Sequence, residues 1–233
     1  MNDRNTVTLI RKESGVTSFS SLRFVKKYVN RKTGHCGTLD KFATGLLIAC
    51  CGKYTKKVPL FMGLDKEYVA VIEFGVETDT LDPEGNITAR AGIPPFETIE
   101  KNVAGMTGMI MQAPPAFSAL HIDGKRSYEL ARKGVEVQPE KRPVYIHSAE
   151  ILNWSSPYLT VRLSVSKGTY VRSYARDLAL ACGSRGYVTA LERTKIGPFS
   201  LDDAVLWNNV PELEKLDEGT AEALLSRLED YKK

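Results

Sequence analysis

One carboxylate, Asp40, stands in the stretch GHCGTLDKFATGLLIACCGKYTK, Gly34 to Lys56, crowded by two glycines, a histidine and a threonine. Three kinds of work suit an acid on such a turn. A phosphate-cradling loop needs G-x-x-x-x-G-K-[ST], but the spacing before Gly52-Lys53 is wrong and Tyr54 follows, so that reading is rejected. In a second reading Gly34, Gly37 and Gly45 make tight turns and Asp40 caps a helix over KFATGLLIACC. In a third, Asp40 is a reactive carboxylate aimed by the turn, with glycines that let the backbone come close to a ligand. The residues by themselves leave the second and third open. Metal chemistry is disfavoured: Cys36, Cys50, Cys51 and Cys182 include an adjacent pair and no C-x-x-C, and His35, His121 and His147 are far apart. The thiols read as reduced and structural, with no metal.

Several elements must position that acid. TVTLI reads as a strand. SFSSLRFVKKYVN reads as one helix capped by Thr17 or Ser18, with Leu22, Val25 and Val29 on one face and Arg23, Lys26 and Lys27 opposite. EYVAVIEFGV is a strand with Tyr68, Ala70, Ile72 and Phe74 on one side, and ETDTLDPEGNI is a turn-rich loop. A helix follows the prolines of PPFETIEKNVAGMTG. QAPPAFSALHIDGKRSYELARKGVEVQPEKRP is a basic loop with a short helix around Ser127 to Lys133, long enough to suggest function. VYIHSAEILNW and the alternating YLTVRLSV are strands, Lys167-Gly168 a turn, and a helix then stops at Gly183. VTALERTKIGPFSL is a strand ending at Gly-Pro, and the tail spaces Ala221, Leu224, Leu225 and Leu228 as a helix. The fold class is α+β, a mixed, largely antiparallel sheet flanked by helices and loops.

The totals fit this. A chain of 233 residues, 42% hydrophobic, sustains one large domain or two small ones. The formal net charge is only +4, but the cations cluster before residue 33, at Lys53 to Lys57 and from Lys125 to Arg142, while acids gather near the C-terminus. That segregation predicts a basic face and an anionic partner. No signal peptide is visible, and no apolar run approaches the ~20 residues of a spanning helix. A cytoplasmic protein is expected.

GHCGTLDKFATGLL resembles the G-H-T-G-x-L-D-P-x-A-T-G-x-L signature of the TruB family of tRNA pseudouridine synthases. KEYVAVIEFGVETDTLDPEG resembles the family's second motif, QAPPAFSALHIDGKRSYELARKG its RNA-gripping loop, and SKGTYVRSYARDLA and ALERTKIGPF its late motifs. Five motifs in the family's order cover residues 7 to 200 or so. The resemblance implies a pseudouridine synthase catalytic domain over residues 1–200, with the RNA-gripping insertion at about 108–143, and a helical extension over 201–233. It implies a cofactor-free isomerase acting on a flipped-out uridine of the T loop, position 55 of tRNA, with the T arm as partner and the enzyme as a monomer.

By the same resemblance Asp40 is the carboxylate beside C1′, Tyr68 stacks on the target base, and Arg172 pairs with Asp40 to keep it ionised and aimed. If Tyr170 to Arg172 is extended, the two side chains share one face and Tyr170 lines the same pocket. Leu191 packs against the uracil and His35 lies near the extruded nucleotides. Lys56, Lys125, Arg126 and Arg132 contact phosphates. The chain departs from the pattern at Arg11 and Glu13, which replace an acid and a proline, and at Cys36, Lys41 and His121, which stand for threonine, proline and lysine. None of these is the nucleophile. About thirty residues follow Pro198, short of the ~50 a further domain needs, so no PUA domain is expected and tRNA binding should be weaker or confined to the T arm. A tRNA-binding RNA chaperone that needs no catalysis is the alternative, and a synthase for another RNA is a third reading.

Overall fold

The computed structural model describes residues 3–118 and 139–232 and, as backbone alone, residues 121–122 and 125–126. Its strands are β1 (Thr6–Lys12), β2 (Thr33–His35), β3 (Thr44–Cys51), β4 (Lys66–Phe74), β5 (Val76–Thr78), β6 (Ile87–Arg90), β7 (Gly108–Gln112), β8 (His121–Ile122), β9 (Lys125–Arg126), β10 (Arg142–Ser155), β11 (Tyr158–Val165), β12 (Gly186–Ile196), β13 (Phe199–Ser200) and β14 (Val205–Leu206). Hydrogen-bonded neighbours run β14-β1-β3-β12-β4-β11-β10-β7, with β2 also on β3 and β13 on β12. The pairs β1–β3, β2–β3, β7–β10, β10–β11 and β12–β13 are antiparallel, whereas β1–β14 and β3–β12 are parallel. The fold is thus α+β with a mixed, largely antiparallel sheet, as the sequence predicts. Among the described residues no helix is long and apolar enough to cross a membrane.

The chain forms two compact units, Met1–Tyr68 with Leu191–Lys233, and Val69–Ala190. In the first, β1 and β3 are covered on both faces. Val7, Leu9, Leu46, Ile48 and Cys50 pack with Phe61, Phe199 and, from helix Glu218–Tyr231, Ala221, Leu224 and Leu228. Ile10, Leu47, Ala49 and Cys51 pack instead with Leu22, Val25, Val29, Trp207 and Leu213. This corrects the helix read over KFATGLLIACC, which is the strand Thr44–Cys51. A strand buried on both sides loses its polar alternation and shows a continuous apolar run, which periodicity cannot tell from a buried helix. Asp40 therefore caps no helix; it lies in the loop between β2 and β3.

The helix read over residues 18–30 is two helices, Ser18–Ser21 and Arg23–Tyr28, joined through Leu22. Thr17 caps the first, its hydroxyl oxygen accepting from Ser20 N at 3.0 Å, and Leu22, Val25 and Val29 are buried as expected. In the second unit Leu159, Val161, Leu163 and Val165 of β11 point inward. Trp154 of β10 stacks on Phe96 and meets Phe74 edge-on. Helix Phe96–Gly105 buries Ile99 and Val103, and helix Val171–Ala181 buries most of its N-terminal half.

Gly45, at the start of β3, is fixed by two independent constraints. Its φ is +115°, and a Cβ there would lie 2.4 Å from the Arg193 carbonyl oxygen of the neighbouring strand. Gly15 has a φ of +79° and nothing within 4 Å of such a Cβ. Gly45→Ala must therefore force β3 from β12 as well as strain its own backbone. It should lose about 3–4 kcal/mol, about 10 °C of melting temperature in a chain of this size. Gly15→Ala should lose about 1–2 kcal/mol. Equal thermal shifts in the two variants would contradict the clash.

Candidate active site

Asp40 is half-buried, and the loop that carries it has every main-chain carbonyl from Leu39 to Ala43 occupied. The Ser18 hydroxyl donates to Leu39 O at 3.0 Å and accepts from Leu39 N at 2.8 Å. Asp40 O accepts from Ala43 N at 3.2 Å, and Lys41 O from Gly15 N at 2.9 Å. Phe42 O takes the Ser14 hydroxyl at 2.8 Å. The Lys12 ammonium, fully buried, donates to the carbonyls of Glu13, Lys41 and Ala43. Arg193, also buried, reaches both ends of the segment, with Nη2 on Gly37 O at 3.1 Å and Nε on Leu46 O at 2.8 Å. A loop so tied fixes the backbone that carries the acid, as a carboxylate acting at a single carbon would require.

His35, Tyr68, Leu191 and Lys56 belong to the same unit as Asp40. Tyr68 and Leu191 are buried, and Lys56 is exposed. The Thr44 hydroxyl lies 3.5 Å from the Leu191 carbonyl, so the exit of the Asp40 loop is tied to the backbone of that leucine. His35 is pushed below its usual pKa, first by burial and then by the charges of Arg193 and Lys26. Its Nδ1 is buried without a partner among the described residues. Cys36, Cys50 and Cys51 are buried core thiols; burial raises Cys51 to about 11.

Arg172 and Tyr170 belong to the second unit. Tyr170 is extended, with φ −106° and ψ 113°, but Arg172 sits in the first turn of helix Val171–Ala181. The strand alternation expected to put the two side chains on one face is thereby corrected: the chain leaves extended geometry between them. Arg172 is buried, not at the surface. Its Nη1 contacts Asp82 Oδ2 at 3.0 Å and donates to Thr80 O at 2.8 Å, and its Nη2 donates to Phe117 O at 3.0 Å. Tyr170 N donates to Gln112 Oε1 at 2.8 Å, and the Arg142 guanidinium lies 5.3 Å from the Tyr170 ring centre.

The turn that supplies Asp82 is itself strained. Leu81 has a φ of 60°, a left-handed conformation that is costly for a leucine. The Thr78 hydroxyl, which donates to Asp82 O at 2.8 Å and accepts from Asp82 N at 3.1 Å, holds it there. Asp82, Lys12, Ser18 and Arg193 escape a reading that looks for reactive groups. The TLDPEG turn, quoted inside the second motif, held the signal for Asp82. The side chains of Lys125 and Arg126, the whole of Arg132 and the short helix around Ser127 to Lys133 lie outside the described residues.

The fold is shared with chains in solved structures. A structure described as a Cbf5-Nop10-Gar1 complex aligns with a TM-score of 0.69 at 27% identity, covering 90% of this chain and 54% of that one. A structure of an H/ACA RNP bound to a substrate RNA containing 2′-deoxyuridine aligns at 0.65 and 25% identity, covering 88% and 51%. The chain thus spans about half the length of these neighbours. The model of the TruB family pseudouridylate synthase N-terminal domain matches residues 25–171. The tRNA pseudouridine synthase B of Borreliella burgdorferi is 49% identical over 210 residues, 88% of this chain and 74% of that protein. That of Aromatoleum aromaticum is 45% identical over 201 residues, 85% and 65%. The chain belongs to the TruB family of pseudouridylate synthases, and its fold is the pseudouridine synthase fold.

Two outcomes follow from this geometry. Ser18→Ala removes both partners of Leu39 and should cost about 1–3 kcal/mol, with faster hydrogen exchange at the Leu39 amide; unchanged exchange there would contradict the clasp. For His35, the folded pKa lies below the unfolded 6.5. Above pH 6.5 both states are neutral; as the pH falls from there through the folded value, the unfolded chain binds the extra proton and stability is lost. The stability difference between the native protein and His35→Gln should therefore shift against the native protein below pH 6.5. Parallel stability curves across that range would contradict it.

Proposed function

We propose that this protein converts uridine to pseudouridine in the T loop of tRNA, at position 55, acting on the T arm as a cytoplasmic monomer with Asp40 as the reacting carboxylate. The observation that carries the reading is a lone acid in the family's signature, on a loop whose carbonyls are all engaged. The reaction breaks the N1–C1′ bond, turns the uracil over and joins C5 to C1′; C5 gives up a proton and N1 gains one, so substrate and product are isomers. Asp40 bonds to C1′ or stabilises the charge there while the base is detached. Tyr68 stacks on that base, Leu191 closes on it, and His35 meets nucleotides displaced with it. Arg172 supplies the guanidinium that aims the acid, and Tyr170 lines the pocket. Lys56, Lys125, Arg126 and Arg132 take phosphates, giving affinity without sequence choice. No step calls for a metal or organic cofactor.

Incubating purified protein with unmodified tRNA and mapping pseudouridine tests the assignment. Product is expected at the T-loop uridine. Asp40→Asn should bring conversion below detection while tRNA binding is retained. Absence of product from folded protein and intact tRNA would overturn the reading, and binding without conversion in the native protein would favour the RNA chaperone.

A further inference from the structure

Between Glu13 and Asp40 the chain carries no acid, while Arg23, Lys26, Lys27, Arg31 and Lys32 all fall in that interval. Leu22, Val25 and Val29 turn inward, and Arg23, Lys27, Arg31 and Lys32 are exposed. On this basic side stands Phe19, 69% exposed, with the Lys26 ammonium 4.0 Å from its ring centre. A solitary exposed aromatic is ordinary; the setting of this one is not. Its neighbour Ser18 clasps Leu39, the residue before Asp40. Lys26 is among the charges that act on His35. The ring and Lys26 therefore stand near the Asp40 loop, while Arg31 and Lys32 lie toward the other end of β3, where Lys32 O accepts from Gly52 N. The ammonium lies against the ring, most of which stays exposed to a flat, apolar partner, and cations that follow one another with no acid between them in the sequence complement a phosphate strand.

We propose that Phe19, backed by Lys26, is a stacking site for one unpaired nucleobase of the RNA substrate, with the phosphates of the same strand on Arg23, Lys27, Arg31 and Lys32. Every base has a π face, so the site holds the strand beside the reacting nucleotide without choosing a sequence. This rests on reading the protein as an enzyme of RNA, and adds a contact outside the residues given to the reaction.

Equilibrium binding of unmodified tRNA, measured by fluorescence anisotropy in an Asp40→Asn background to prevent turnover, is the test. Phe19→Ala and Phe19→Leu should weaken binding by about five- to a hundred-fold, and Phe19→Trp should retain it. The exposed position means all three should melt like the parent. Arg31→Ala with Lys32→Ala should reduce the slope of log affinity against log salt by about 1–2, whereas Phe19→Ala should leave that slope unchanged. Full affinity in Phe19→Ala or in Phe19→Leu would overturn the stacking site. Conversion by the native protein, assayed alongside, separates the two claims: conversion with no Phe19 effect rejects only the stacking site, and a Phe19 effect without conversion rejects only the enzymatic reading.

Discussion

Everything near Asp40 depends on how the backbone of its loop is satisfied. An irregular segment in a half-buried position exposes carbonyls that neither helix nor ladder will take. Here two buried cations and two serines take most of them, with Ala43 N on Asp40 O and Gly15 N on Lys41 O: Lys12 and Ser14 come from the end of β1 and the turn after it, Ser18 from the first helix, Arg193 from β12. Burying an ammonium or a guanidinium costs several kcal/mol unless its donors are engaged. Hydrogen bonds from charged donors contribute about 1.5–3 kcal/mol each, and these cations engage the loop's own carbonyls. Cation and loop therefore stabilise each other, and displacing either leaves a buried polar group stranded. The acid gains a fixed position without being part of a regular element.

The same device recurs around Arg172. A buried guanidinium is held by two carbonyls and by Asp82, on a turn where Leu81 is forced into the left-handed region. Removing one member of a buried ion pair typically costs about 3–5 kcal/mol, more than the ~1–3 kcal/mol of such backbone strain, so relaxing the turn at the expense of the pair would cost more than it recovers. The strain is tolerable because the turn has no freedom to relax without uncovering the arginine. In both units buried cations bond main-chain carbonyls, which ties their positions to the fold; Arg172 adds the side chain of Asp82.

Much of this was legible in the sequence, and the exceptions share a cause. Alternation marked β4 and β11 because one side of each is buried and the other less so, whereas Thr44–Cys51, buried on both sides, imitated a helix. Arg172 stands where extended chain passes into helix, one residue beyond the last position to which alternation applies. Asp40 was visible because it stands inside the signature stretch of the family. Lys12 and Arg193 were not, because their work is done on carbonyl groups, which every residue carries and no letter records. Asp82 lay between, a turn acid whose partner is ninety residues away in the chain.

The position of the acid depends on the carbonyl clamp that holds its loop. Single-turnover conversion of tRNA by Lys12→Met, an isosteric change that leaves Asp40 in place, tests it most directly. With the fold and tRNA binding intact, the rate should fall by about a hundred-fold, the expected cost of a displacement of about 1 Å in the reacting group. A rate equal to that of the native protein would contradict the account, because the acid would then be finding its place without the clamp.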